Sequence, residues 1–186
     1  MKKLINIAAV LLAASMIFVG CSNGVAAPGS NQENPKDETP SNEETPSNEL
    51  VIFDPATYTG EKIQIDGETF AVFNVDGYNT YFDFNSVDCS GVSKFKAKLC
   101  AKEENVDFKL GVKIADKANH DISTIELVGL VTEPKLCEAG FAEKTPWNTP
   151  SETKLATRIQ PMVQDLTDNY SAQSGVVVYV GKITAE

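Results

Sequence analysis

Trp147, the one tryptophan of the chain, lies in Thr145-Pro146-Trp147-Asn148-Thr149-Pro150. The composition is that of a loop, and its two prolines stiffen it. A ring on a stiff polar loop can stack on a flat apolar ligand surface, or it can fold back as a lid over the end of a core. Arg158 and Gln160 share one parity of an alternating stretch, and Gln164 follows Pro161. These side chains either line a polar binding face or decorate a solvated one. Tyr81 and Asp83 point to water on the same parity argument. Tyr170 precedes the last apolar stretch, at a rim or in ordinary packing. Rings among amides, a guanidinium and a carboxylate suit recognition by stacking and hydrogen bonding.

Motifs for bond-making chemistry are lacking. His120 is the one histidine, set between Asn119 and Asp121 in a turn. That leaves no histidine pair for a zinc or iron site, and no cysteine pair has zinc-finger spacing. Counting residues leaves a Ser-His-Asp triad open, but no Gly-x-Ser-x-Gly elbow is present. No P-loop or dinucleotide fingerprint occurs. Proximity of carboxylates for glycoside hydrolysis is invisible in so acidic a sequence. Catalysis is therefore the least favoured class, and the expectation is a protein that is not an enzyme. A structural calcium is the one cofactor left open: Asp76, Asn79, Asp165 and Asp168 fall in or near turns, without a calcium-loop pattern.

These side chains sit in a chain of three parts. Residues 1–20 combine Met1-Lys2-Lys3, an apolar run from Leu4 to Val19, and Gly20, which reads as a secretory signal peptide. The run is too short to favour a permanent membrane span. Phe18-Val19-Gly20-Cys21 resembles the lipobox of bacterial lipoproteins, with Phe18 where leucine is usual. The resemblance implies lipidation of Cys21, hence a membrane partner through the lipid anchor. The alternative is an ordinary signal peptide ending near a cysteine. Residues 21–49 are rich in Pro, Glu, Ser, Thr and Asn, and carry the repeat Glu38-Thr39-Pro40-Ser41-Asn42-Glu43 and Glu44-Thr45-Pro46-Ser47-Asn48-Glu49. Such a composition predicts a disordered tether with a reach of about 30 Å. Export to the cell envelope follows. Ser22 is not the acidic residue that retains some lipoproteins at the inner membrane, so the outer membrane or cell surface is the expected location.

Residues 50–186 suffice for one domain with a single core. The chain carries a net charge of -10; the signal has two lysines and residues 22–49 have six acids against Lys36, which leaves this domain at -7. That balance opposes nucleic acid and anionic membrane surfaces as partners and fits a neutral or cationic ligand. Cys89, Cys100 and Cys137 are an odd number, so at least one thiol is unpaired in a monomer, most simply as a small buried hydrophobe. A Cys89–Cys100 bridge is a hypothesis that export permits.

The domain reads as strands nearly throughout. Phe95, Ala97 and Leu99 alternate with Lys94, Lys96 and Lys98; Phe108, Leu110, Val112 and Ile114 alternate with Asp107, Lys109, Gly111 and Lys113. Phe82 and Phe84 alternate with Tyr81 and Asp83. Leu155, Thr157 and Ile159 alternate with Ala156, Arg158 and Gln160, before Pro161, which argues for a bulge or an edge. Val176 to Ile183 is apolar on both parities and predicts a central or covered strand. Turn signals at Asp66-Gly67, Asp76-Gly77, Ser90-Gly91 and Asn119-His120-Asp121 separate the runs. The expected fold is all-β, a jelly-roll β-sandwich of about eight to nine strands.

Four segments then look familiar in order. They are Tyr81-Phe82-Asp83-Phe84 running into Val87-Asp88-Cys89-Ser90-Gly91-Val92, the basic stretch Ser93 to Lys98, Lys109 to Lys113, and Gly175-Val176-Val177-Val178-Tyr179-Val180-Gly181-Lys182-Ile183. Together they resemble carbohydrate-binding modules of the galactose-binding-domain-like jelly-roll group, over most of residues 58–183. Cys89 stands where leucine is usual and Val92 where an aromatic is usual. The resemblance implies a non-catalytic domain holding a glycan on the concave sheet face or the loop rim. Trp147, Arg158, Gln160, Gln164, Tyr81, Asp83 and Tyr170 are the candidate ligand-binding residues. A pyranose offers an apolar C–H face to an aromatic ring and hydroxyls to fixed polar groups. The rival is a protein-binding adhesin or envelope-complex subunit on the same sandwich, marked by a flat apolar patch or a long unpaired edge.

Overall fold

The computed structural model describes residues 49–186. The expected signal peptide, the expected lipidation site Cys21 and the repeat up to Asn48 lie outside the described residues. Ten strands follow in order: β1 (Leu50–Phe53), β2 (Lys62–Ile65), β3 (Glu68–Asp76), β4 (Phe82–Asp88), β5 (Phe95–Ala101), β6 (Asn105–Ala115), β7 (Asp121–Leu130), β8 (Lys135–Ala139), β9 (Leu155–Asp165) and β10 (Ser174–Ala185). The number exceeds the expected eight to nine because β1 and β2, four residues each, are too short to show alternation. A 3-10 turn, Pro55–Thr57, is capped by Asp54, which accepts from the Ala56 amide at 2.9 Å.

The strands form two antiparallel sheets of a jelly-roll sandwich. One sheet has the order β2-β3-β10-β5-β8, with β1 also pairing β10; the other has the order β4-β9-β6-β7. The core lies between them. Ala71, Phe73, Val75, Phe95, Ala97, Leu99, Val178, Val180 and Ile183 face Leu110, Val112, Ile114, Ile125, Ile159 and Val163 across it. Each such buried Leu, Ile, Val or Phe side chain contributes roughly 1.5–3 kcal/mol relative to exposure. The Asp66-Gly67 turn joins β2 to β3 with both residues at positive φ, 50° and 82°, the two-residue hairpin geometry that matches strand twist. As expected, β10 is central, between β3 and β5.

Two expectations are corrected. Leu155 is exposed and Ala156 is in the core, the reverse of the simple alternation. Ala156 and Ile159, three residues apart, both face the core, so β9 breaks its own alternation between them. The break coincides with an irregularity in the β4–β9 pairing, where Asp83 pairs with Arg158 but Val87 pairs with Ala156, and it leaves the parity of Arg158, Gln160 and Gln164 intact. The second correction concerns the thiols. Cys89, Cys100 and Cys137 are all free. Cys89 packs in the core, whereas Cys100, opposite Tyr179, lies on the solvent side of β5, so a sheet separates the two. Burial pushes the Cys100 thiol up to about 11 and raises Cys89 and Cys137 as well.

Pro161 illustrates how β9 serves the site. β4 begins at Phe82, opposite Ile159, so beyond that point β9 pairs in the ladder with β6 alone. The missing amide of Pro161 therefore falls where no β4 partner exists. The β3–β4 loop, residues 77–81, takes up that space.

Candidate functional site

The outer face of the four-stranded sheet is a grid set by register. Arg158, Gln160, Met162 and Gln164 project from β9. Lys113, Gly111 and Lys109 lie opposite Gln160, Met162 and Gln164 on β6, and Thr124, Glu126 and Val128 lie opposite these on β7. The alternate residues fill the core.

At one end, Arg158 grips Asp83 with both arms of its guanidinium. Nε donates to Oδ1 at 2.6 Å and Nη2 to Oδ2 at 3.1 Å. The same guanidinium lies 4.2 Å from the centroid of the Tyr81 ring. A planar, bidentate cation under a ring is held far more firmly than a lysine would be. The hydrogen bond from Arg158, reinforced by its charge, holds the Asp83 carboxyl below the usual range despite some desolvation. Tyr81 is 54% exposed, so it combines this guanidinium contact with access to solvent.

In the middle runs Tyr78, from the β3–β4 loop. The Gln160 amide donates to the Tyr78 carbonyl, and the Gln164 amide donates to the Tyr78 hydroxyl at 3.2 Å. The side chain therefore runs lengthwise along β9, past Met162, with 52% of the residue exposed. On the neighbouring strand Gly111 is buried, and a Cβ there would meet Met162 Cγ at 3.4 Å and Thr124 Cγ2 at 3.6 Å, ordinary contacts. Tyr78 was missed from sequence because a loop residue has no periodicity to mark its direction. The signal that could have found it is the Tyr78-x-x-Tyr81 pair just after Asp76-Gly77.

At the far end, Lys109 Nζ lies 2.8 Å from Glu126 Oε1 and 5.3 Å from the centroid of Tyr170. A bridge between Gln164 and Ala172 brings that segment to the face. Lys113 pairs with Asp121. The face thus carries three cations and three carboxylates, each closed in a cross-strand pair, on a domain of net charge -7.

Six of the seven expected residues, Tyr81, Asp83, Arg158, Gln160, Gln164 and Tyr170, are therefore brought onto one surface. Trp147 is not joined to them by a hydrogen bond or ring contact among the described residues. It caps a tight turn, with Thr145 and Asn148 bridged and the Trp147 amide donating to Thr145 Oγ1 at 3.3 Å. At 95% exposed, the ring does not fold over the sandwich end. Its loop is fixed at the base: Pro150 extends the sheet beside Asp121, and the Ser151 amide donates to the Asp121 carbonyl at 2.8 Å.

That base contains a serine, a histidine and an aspartate in a non-catalytic order. Ser151 Oγ donates directly to Asp116 Oδ2 at 2.7 Å, and His120 Nδ1 lies 3.5 Å from the same oxygen. The carboxylate sits between the other two, so the imidazole is not placed to take the serine proton. Desolvation works to raise the Asp116 pKa, but donors from Ser151 and the His120 and Ala118 amides hold it below the usual value. The group ties the β6–β7 turn to the Trp147 loop.

Of the residues considered for calcium, Asp76 and Asn79 share one turn and Asp165 and Asp168 another. Asp76 Oδ1 accepts from Ser174 Oγ at 3.0 Å, and Asp165 Oδ1 accepts from the Thr167 amide and hydroxyl. Among the described residues, no three His, Cys, Asp or Glu side chains form a cluster that could hold a metal ion.

No protein-family model and no curated protein sequence matches the chain. Solved structures similar to it are carbohydrate-binding modules. CsCBM6-3 from Clostridium stercorarium, in complex with cellobiose, aligns at a TM-score of 0.39 and 12% identity, covering 68% of this chain and 80% of its own. The family 11 module from Clostridium thermocellum, in complex with a beta-1,3-1,4-mixed-linked tetrasaccharide, gives 0.41 and 12%, covering 74% and 94%. A family 30 module gives 0.42 and 12%, covering 74% and 99%. At this distance the outer face itself has to carry the functional reading.

Proposed function

We propose that the chain is an exported, non-catalytic glycan-binding lipoprotein, anchored through Cys21 at the outer membrane or cell surface. Its binding surface is the outer face of the four-stranded sheet. The observation that carries this reading is Tyr81: a half-exposed ring held flat by a guanidinium that is itself locked to Asp83. A ring fixed on a polar sheet face can take the C–H face of a pyranose without first being ordered. Closed ion pairs and amides around it offer hydrogen bonds to hydroxyls without a net field, which fits a neutral sugar. Trp147 supplies a second ring at the loop rim.

The test is a broad glycan array probed with the full chain in detergent, with and without calcium. Specific binding, reduced about tenfold or more by Tyr81→Ala and lowered by Trp147→Ala with unchanged melting temperatures, is the expected result. Folded protein that binds no glycan would reject the reading. A protein partner is the second reading. Val106 and Val128, both exposed near the free edge of β7, favour it.

A further inference from the structure

We propose that Tyr78 is the principal stacking platform of this face, and that Gln160 and Gln164 are positioning residues that act through it. The inference rests on the glycan reading and divides labour within it. From sequence, both glutamines are candidate sugar contacts. In the structure, each directs its amide nitrogen to Tyr78, one to the carbonyl and one to the hydroxyl. Gln160 is 8% exposed, too enclosed to present that nitrogen to a ligand.

Such anchoring has a physical consequence. A free tyrosine side chain loses rotamer freedom when a ligand orders it, which weakens binding. Tyr78 is already fixed at its backbone end and at its phenol end. The loop that bears it is fixed too: the Asp76 amide donates to Thr80 Oγ1 at 2.8 Å, and the Asn79 amide donates to the Asp76 carbonyl at 2.9 Å. Gly77 at φ 56° makes the bend that aims residue 78 back over β9. Tyr78 remains about half exposed on the sheet face. A fixed aromatic side chain that stays exposed is a preorganised platform.

The test uses the full chain in detergent, in affinity gels against soluble β-glucans, xylans, mannans and galactans. Tyr78→Ala should weaken retention by about tenfold or more, with the melting temperature close to wild type. Tyr78→Phe and Gln164→Met each remove the same hydrogen bond. Each should weaken retention by about two- to tenfold, and the double variant should be no worse than either single one. Losses that multiply in the double variant would mean that Gln164 meets the sugar directly, and would overturn the positioning role. Retention unchanged by Tyr78→Ala would overturn the platform while leaving the glycan reading in place. Wild-type protein retained by none of the four classes would overturn both. Without any sugar, Tyr78→Phe should shift the NMR signals of the Gln164 side-chain amide; unchanged signals would refute the anchoring itself.

Discussion

The two sheets turn opposite kinds of surface to solvent, although both alternate apolar and charged residues. The outer face of the six-stranded sheet packs its aromatic down among charged side chains, with shallow cavities lined by Glu68, Lys96, Lys98 and Lys182. Phe70 points outward from β3 yet is fully buried, its ring edge only 3.2 Å from where a Cβ on Gly181 would lie. An aromatic ring filling the space over a cross-strand glycine restores the burial that the glycine lacks. Lys98 and Glu68 pair beside that ring, and Lys96–Glu186 and Lys94–Glu138 continue the row. On the four-stranded sheet the glycine is buried as well, Gly111 lying between Met162 and Thr124, but Tyr78 and Tyr81 are fixed by polar anchors and stay about half exposed. An aromatic on a sheet face can be packed down or held up to solvent, and the difference lies in how the ring is fastened.

Variants on the two faces should separate stability from binding. The largest effect is expected from Phe70→Ala, which should cost about 3–5 kcal/mol of stability, read by denaturant unfolding, while glycan retention per folded molecule is unchanged. Loss of retention at constant stability would show that the six-stranded face also binds. A smaller effect concerns pH. The Asp83 carboxyl is held below its ordinary value by Arg158, so its ionised, ring-supporting form is fully present above the unfolded-state value and is lost as pH falls through the lower folded value. Retention should therefore be level from neutral pH into the ordinary carboxylate range and decline only below it. A decline beginning near neutrality would contradict the role of the Asp83–Arg158 pair.

Much of this was legible in the residues. Alternation placed Lys109, Gly111 and Lys113 outward and Leu110, Val112 and Ile114 in the core, because one face in water and one in oil leave a period of two. Arg158, Gln160 and Gln164 came out on one face for the same reason. Leu155 and Ala156 were inverted because β9 breaks its alternation between Ala156 and Ile159, where its pairing with β4 is irregular, and no proline or glycine in that stretch signals the break. Tyr78 was invisible because its direction is set by two glutamines more than 80 residues away in the chain. Trp147 was legible as a loop residue, but its separation from the sheet face depends on how Asp116 and Ser151 anchor the loop.

The central claim is that the open face of the four-stranded sheet holds the sugar. Backbone amide shifts measured by NMR, titrated with whichever array glycan binds best, test it most directly. The account predicts perturbations centred on Arg158–Gln164, Lys109–Lys113 and Tyr78–Asp83, with β3 and β5 silent. Perturbations centred on the six-stranded face around Phe70 and Lys98, or on the β7 edge, would contradict it.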